Sequence, residues 1–339
     1  MVKFSARKKR HNFKKTQAIF AKFSKKLPAP GYYFQKNKTI FFVLIGVIMV
    51  LCLAELWNNL RFSVWDGQSQ LNLSLVQGEA LSYVKINPEL EEVLILTFPD
   101  NAMVQVAKGF ADYQASKIVR LAKQEKIPVG KLTSQTMTIF LGSLTDGYIV
   151  SSVQSSTFSN LVFKALTKRA STNLSSWDLF RIWLLLRNMR SDQVKTVDLS
   201  QTGAYQLTTL PDGSKVYQIN YDLLDEWVLR ELAQPEYLNQ SLRWEIFNST
   251  DHVGLGQALK RIVANSGFEV IGVRQENKPV ETSVLFINNK SVNKDKIAKI
   301  AKYLGLKINE HPVQTKGSAA DIEIVIGEDF WQRFFNKSN

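Results

Sequence analysis

The sequence predicts an α+β protein: a basic tail and one apolar helix, followed by two folded regions in which strands and helices mix. Three observations predict it. Residues 39–54 carry no charge, short β-rich runs broken by turn residues fill 80–98, and strand and helix patterns alternate from 242 onward.

The tail, 1–38, holds twelve Lys and Arg and no Asp or Glu, with phenylalanines interleaved at 4, 13, 20 and 23. The other 31 basic side chains are balanced by 30 acidic ones, so the net charge of +13 belongs to the tail. Such a tail can lie on anionic lipid or touch nucleic-acid phosphates, or it can act only as a topological signal. As a helix, 39–54 is roughly 24 Å long, a little short of a bilayer core of about 30 Å. Lys38 snorkels at one end and Trp57 sits at the other, so 39–57 is expected to span the membrane. A basic block beside a span stays in the cytoplasm, which puts the remainder outside. The alternative is a cleaved signal peptide ending near Cys52-Leu53-Ala54; Leu51 is too large to precede a lipoprotein cysteine. Cys52 is the only cysteine, so the exported part has no disulfide and is held by packing.

In the first exported region, 80–86 and 93–98 read as strands of a hairpin turning at Asn87-Pro88-Glu89-Leu90. Apolar residues at 115, 118, 119 and 122 predict a helix over 113–126, stopped by Pro128 and Gly130. A second helix is expected over 134–144, closed by Thr145-Asp146-Gly147. Ser175 and Asp178 form a capping box, and Trp177, Phe180, Trp183 and Leu184 are expected to face the core. Residues 201–213 have turn chemistry, and 221–232 reads as a linking helix stopped before Pro235.

In the last region the pattern is βαββαβ. Strands are expected over 242–250, 268–275, 283–289 and 321–330. Leu255, Leu259 and Ile262 mark one helix face, and Ile297, Ile300 and Leu304 another, with Asn293 as a cap and Gly267 and Gly305 as stops. That order implies a sheet with two helices on one side. The turn carrying Asn248, Asp251, Gly254 and Gly256 stands at a helix N-terminus and is the candidate anion-binding turn. The competing reading is that Asn248 and Asp251 only cap and shape it. His11, His252 and His311 do not have the spacing of a metal site, and no Gly-x-Ser-x-Gly, Walker or HExxH motif occurs.

Two family resemblances add to this. The run GEALSYVKINPELEEVLILTFPDNAMV (78–104) resembles the opening of a LytR-CpsA-Psr domain. IPVGKLTSQTMTIFLGSLTDGYIV (127–150) resembles the segment with which that family binds its lipid, and 171–199 resembles the helix and strand near its end. Residues 242–330 resemble the LytR C-terminal domain through Trp244-Glu245-Ile246-Phe247-Asn248-Ser249-Thr250, Gly254-Leu255-Gly256 and Gly327-Glu328-Asp329-Phe330. The implied layout is a cytoplasmic tail at 1–38, a transmembrane helix at 39–57, a degenerate α/β LytR-CpsA-Psr-like domain at 70–235, and a LytR C-terminal domain at 242–330.

The resemblance implies an enzyme that uses a divalent metal and arginines to hold a polyprenyl pyrophosphate and moves glycopolymer to peptidoglycan. This chain departs from it. Glu79 keeps the early acidic position and is the one catalytic candidate. Asp100 stands where an arginine belongs and Asn101 where an aspartate belongs, and 155–160 holds no arginine. A carboxylate inverts the field a pyrophosphate needs. The reading is therefore a membrane-anchored envelope protein that binds or scaffolds without catalysis or cofactor. Its partners would be membrane lipids through anchor and tail, and cell-wall glycan or other envelope proteins. The alternative is a divergent phosphotransferase working with magnesium. A transcription regulator is disfavoured, because nucleic acid would lie across the membrane from the folded part.

Overall fold

The computed structural model describes residues 42–50, 63–154, 157–238, 242–276, 278–289, 294–309 and 318–337. Residues 42–50 are helical, with apolar side chains such as Phe42 and Val50 exposed. No helix among the described residues is long and apolar enough to cross a membrane. The basic tail, Lys38, Cys52 and Trp57 lie outside the described residues, as do Asn293, His11 and His311.

From residue 62 onward the chain forms one compact unit. Its first sheet begins with β1 (Leu71–Gln77), β2 (Ala80–Asn87) and β3 (Glu92–Thr97), an antiparallel meander. The expected hairpin is present: Asn87 Oδ1 accepts from the N–H groups of Glu89 and Leu90, at 3.1 and 3.2 Å, and fixes the turn. β1 is buried on both faces, as a central strand flanked by helices must be.

The next stretch departs from its helical spacing. Asp112–Gln114 forms β5, paired with β4 (Met103–Gln105), and a 3₁₀ turn at Ala115–Lys117 precedes α1 (Ile118–Gln124). Ser116 donates its N–H and hydroxyl to the Asp100 carbonyl, so strand pairing and this tie override the periodicity. Gly130 is not a stop. It lies in the first turn of α2 (Val129–Leu141), where the Tyr148 ring fills the place of a side chain, 2.1 Å from where a Cβ would stand. The helix ends instead at Gly142, in the left-handed conformation.

β6 (Gly147–Ser151) runs parallel to β1, and α3 (Phe158–Leu166) and the short β7 (Ser171–Thr172) follow. α4 (Ser176–Asn188) starts at the expected capping box of Ser175 and Asp178. Its inward face is not the expected one. Leu179 and Ile182 are buried, Trp183 is half-buried, and Phe180 and Leu184 are exposed. Asp178 sets this rotation, because it must point inward to accept from the Ser63 hydroxyl at 2.5 Å and from the N–H groups of Val64 and Trp65.

β8 (Val194–Asp198) pairs with β3, giving the order β7-β6-β1-β2-β3-β8. The turn chemistry near 210–214 belongs to a hairpin of β9 (Tyr205–Thr209) and β10 (Lys215–Ile219) that the sequence reading missed. α5 (Tyr221–Glu231) is capped by Asn220, and α6 (Pro235–Leu238) follows. One face of the sheet packs on α1, α2 and α5, and the other on α3 and α4.

The last region is β11 (Arg243–Asn248), α7 (Leu255–Asn265), β12 (Glu269–Gln275), β13 (Val284–Ile287), α8 (Lys294–Leu304), β14 (Lys307–Asn309), β15 (Ile322–Ile326) and α9 (Glu328–Phe334). The order is thus βαββαββα. β14 is an added edge strand, and the expected last strand stops at Ile326. Gly327 then starts a helix whose first turn holds Glu328 and Asp329, the placement its dipole favours. The sheet order is β12-β11-β15-β13-β14, and α7, α8 and α9 share one core with Trp244, Ile246 and Ile324.

Leu259 is fully buried and Leu184 is 45% exposed. Leu259→Ala is expected to cost about 2–5 kcal/mol, and Leu184→Ala less than about 0.5 kcal/mol. Urea unfolding of the detergent-solubilised chain, with unchanged m, checks both.

Candidate ligand-binding cleft

Three elements of the first region and two of the last meet around a cleft of about 740 Å³. α2 supplies Lys131, Ser134, Gln135 and Thr138, and the loop into β6 supplies Leu144, Thr145 and Asp146. Lys108 comes from the turn before β5, Lys302 and Tyr303 from α8, and Gln332 and Arg333 from α9.

The joint that holds these elements is built around Arg261 on α7. Its Nε donates to both Asp225 oxygens at 2.7 and 2.8 Å, and its terminal nitrogens donate to the carbonyls of Ile139 and Phe140 at 2.9 and 2.8 Å. The guanidinium also lies 4.9 Å from the centre of the Tyr221 ring. Asn265, one turn on, donates to the Leu141 carbonyl and to Asp225. α2 therefore finds partners for its last carbonyls on the other region.

The cleft floor is a second tie. Asp146 Oδ2 accepts from Asn72 N at 2.5 Å and Oδ1 accepts from the Tyr303 hydroxyl. Burial holds the Asp146 carboxyl above its ordinary value, against the pull of Lys299, Tyr303 and Asn72. Burial and the neighbouring Asp146 push the Tyr303 hydroxyl up, which keeps it a donor. Lys299 reaches across to Ser69 Oγ and Gln70 O at 3.0 and 3.1 Å.

The rim is cationic. Lys131, Lys302 and Arg333 are exposed, and none of them makes an ion pair among the described residues. Lys108 is buried, in a positive-φ turn, with its Nζ 2.9 Å from the Gln332 carbonyl. Burial lowers its pKa, and the charges of Lys131 and Arg333 lower it further. Of the two lining carboxylates, Asp146 is used as above and Asp329 accepts from Ser283 N and Oγ. The cleft is thus a cradle for negative charge with hydroxyl and amide donors beside it, and Gln135 Oε1 is a buried acceptor without a partner among the described residues.

The residues singled out from sequence lie elsewhere. Glu79, in the turn after β1, is exposed and sits 3.4 Å from Arg120. Asn101 donates to the Lys215 carbonyl, and the Asp100 carbonyl holds Ser116. None of the three lines the cleft. Thr157, Phe158 and Ser159 line another cavity, of about 510 Å³, together with Arg190, which pairs with Asp192 at 3.0 Å.

In the candidate turn, Asn248 donates to His252 O and to Gln275 Oε1, both at 3.0 Å, and accepts from the Thr250 hydroxyl. Gly256 is packed 2.6 Å, measured from an added Cβ, from a Val273 methyl, so its smallness serves helix–strand packing. Asp251 and Gly254 are exposed at the turn surface. His252 stacks on Trp331 at 4.0 Å and meets Glu328 at 3.1 Å. Among the described residues no group of three or more His, Cys, Asp or Glu is placed to hold a metal ion.

None of the residues singled out as site candidates from sequence lines the cleft. Lys131 and Asp146 fall in 127–150, the segment singled out for ligand binding. Lys108 is an isolated lysine, Lys302 lies off the apolar face of its helix, and Arg333 lies beyond the last expected strand, so nothing in their local pattern signalled convergence.

A family model described as "LytR cell envelope-related transcriptional attenuator" matches residues 241–330. This segment is a LytR C-terminal domain. Its family description ties it to the cell envelope, and it contributes α8 and α9 to the cleft. No curated relative matches the chain. Among solved structures, TagT of B. subtilis is 14% identical, over 48% of this chain and 89% of that one, with TM-score 0.36. TagV of B. subtilis is 10% identical, over 47% and 94%, with TM-score 0.35. Protein gbs0355 of Streptococcus agalactiae is 9% identical, over 47% and 85%, with TM-score 0.34. TagT and TagV belong to the LytR-CpsA-Psr family.

A carboxyl whose folded pKa is raised contributes stability below its ordinary value of 3.8, and that contribution is lost as pH rises through the folded value. The stability of Asp146→Asn relative to the native chain is therefore expected to climb with pH across that window. Urea midpoints of both chains, taken at steps upward from pH 4, check the sign.

Proposed function

We propose that this chain is a single-pass, membrane-anchored extracytoplasmic protein whose cleft holds an anionic polymer of the cell envelope without turning it over. The observation that carries the reading is the convergence of Lys108, Lys131, Lys302 and Arg333 on one concave surface whose carboxylates are already engaged. Repeated negative groups on an envelope glycopolymer match that field, and the hydroxyls of Ser134 and Thr138 suit sugar. The charge-free run at 39–54 beside a tail of twelve cations supports the orientation.

The absence of turnover is argued from Glu79, Asp100 and Asn101. The acid is exposed and paired with Arg120, and the other two residues hold the turn after β3 and the hairpin β9–β10. One observation favours the second reading, a divergent phosphotransferase. The segment that resembles the family's lipid-binding segment is also the one that lines the cleft. Under that reading magnesium and a polyprenyl pyrophosphate would be required, and Glu79→Ala would abolish a measurable transfer.

Lys131→Glu and Arg333→Glu are each expected to raise the Kd for an anionic envelope glycopolymer at least about tenfold; the urea midpoint should be unchanged for Lys131→Glu and lower for Arg333→Glu, which also loses the 2.9 Å hydrogen bond to the Tyr303 carbonyl. Calorimetric titration at two salt concentrations measures it, and binding that ignores both substitutions sinks the cleft as the site.

For the topology, a reporter enzyme fused after Asn339 should be active only outside the cytoplasm, with the protein retained in membranes through a high-salt wash. A product released into the soluble cytoplasmic fraction excludes the anchor.

A further inference from the structure

α4 is apolar on two sides. Leu179 and Ile182 face the core, while Phe180 and Leu184, one turn apart, are exposed on the opposite side, with Trp177 half-buried beside them. A surface helix ordinarily turns a polar stripe to water. Here Phe180 stacks on Trp177 with centroids 5.8 Å apart and lies 6.2 Å from the Trp183 ring. Arg181 and Arg187 sit over the two indoles, at 5.0 and 5.4 Å. α3, packed beside it, adds exposed Phe163, and the connection after α3 adds exposed Lys168 and Arg169.

Charge singles out the same surface. Residues 158–189, from the start of α3 to just past α4, hold five basic side chains and one acidic, Asp178, which is buried. The rest of the chain beyond the tail has a slight acidic excess. The chain also joins the folded unit here. Ser63, Val64 and Trp65 are tied to Asp178, and Arg181 donates to the Trp65 carbonyl at 2.8 Å.

We propose that the outward face of α4 rests on the anionic phospholipid surface of the membrane. Phe180 and Leu184 enter the headgroup boundary, and Arg187 and Arg169 meet lipid phosphates. The aromatic and charge argument stands on the folded unit alone.

The test uses the full chain with Cys52→Ser, carrying an environment-sensitive fluorophore at Leu184→Cys or, as control, at Val253→Cys in the fully exposed turn. Both are reconstituted into vesicles of phosphatidylcholine alone or mixed with phosphatidylglycerol. The label at 184 should shift to the blue and be quenched by nitroxide lipids in the anionic vesicles, with the label at 253 unchanged. Arg169→Glu with Arg187→Glu should abolish the shift. A label at 184 that stays in water in anionic vesicles overturns the inference. So does a shift that disappears on dilution with lipid, since a second copy of the chain would then cover the face. Extraction of the chain by alkaline carbonate would defeat the anchor alone. The inference stands in that case if the extracted chain still shifts on added anionic vesicles.

Discussion

Arg261 is the side chain on which the shape of the folded part depends. A helix ends with carbonyls that its own backbone cannot satisfy. α2 ends between two regions, and Arg261 and Asn265 from α7 supply the missing donors. The same guanidinium grips Asp225 on α5 and covers Tyr221, so three helices from both sides of the domain boundary are fixed by one planar group. A lysine has neither the fork nor the flat face for this.

The apolar packing agrees with that joint. Ala107, Ile139 and Leu144 belong to the first region by sequence, yet they pack in the core of the LytR C-terminal domain with Leu259 and Ile262. The two regions are therefore not beads on a flexible string. The spacing between Lys131 on α2 and Arg333 on α9 is set by this apolar packing and by the tie from Tyr303 to Asp146. A site made this way is organised before its ligand arrives, which lowers the ordering cost of binding.

Most of the architecture could be read from local pattern, and the misses share a cause. The β2–β3 hairpin, the α4 capping box and the faces of α7 and α8 are signalled by residues close in sequence. The rotation of α4 was not readable, because the carboxylate that sets it, Asp178, answers to Ser63, more than a hundred residues away. Gly130 read as a helix stop because the ring that needs its missing side chain belongs to Tyr148. The cleft failed in the same way. Lys131 and Asp146 lie in a segment that only the family resemblance pointed to, and Lys108, Lys302 and Arg333 become their neighbours only through the fold.

The turn at 106–109 carries one more consequence. Lys108 N donates to the Phe334 carbonyl, and Gly109 comes so close to the Phe335 carbonyl that a Cβ would stand 2.4 Å from it. A turn formed early in the chain is thus completed by residues more than two hundred positions later. During vectorial synthesis the sheet of β1, β2 and β3 can assemble long before this partner emerges. The cleft is the last part of the molecule to exist, so a nascent chain stalled before residue 328 would present Lys131 of α2 on an open surface, without the wall that gives it selectivity.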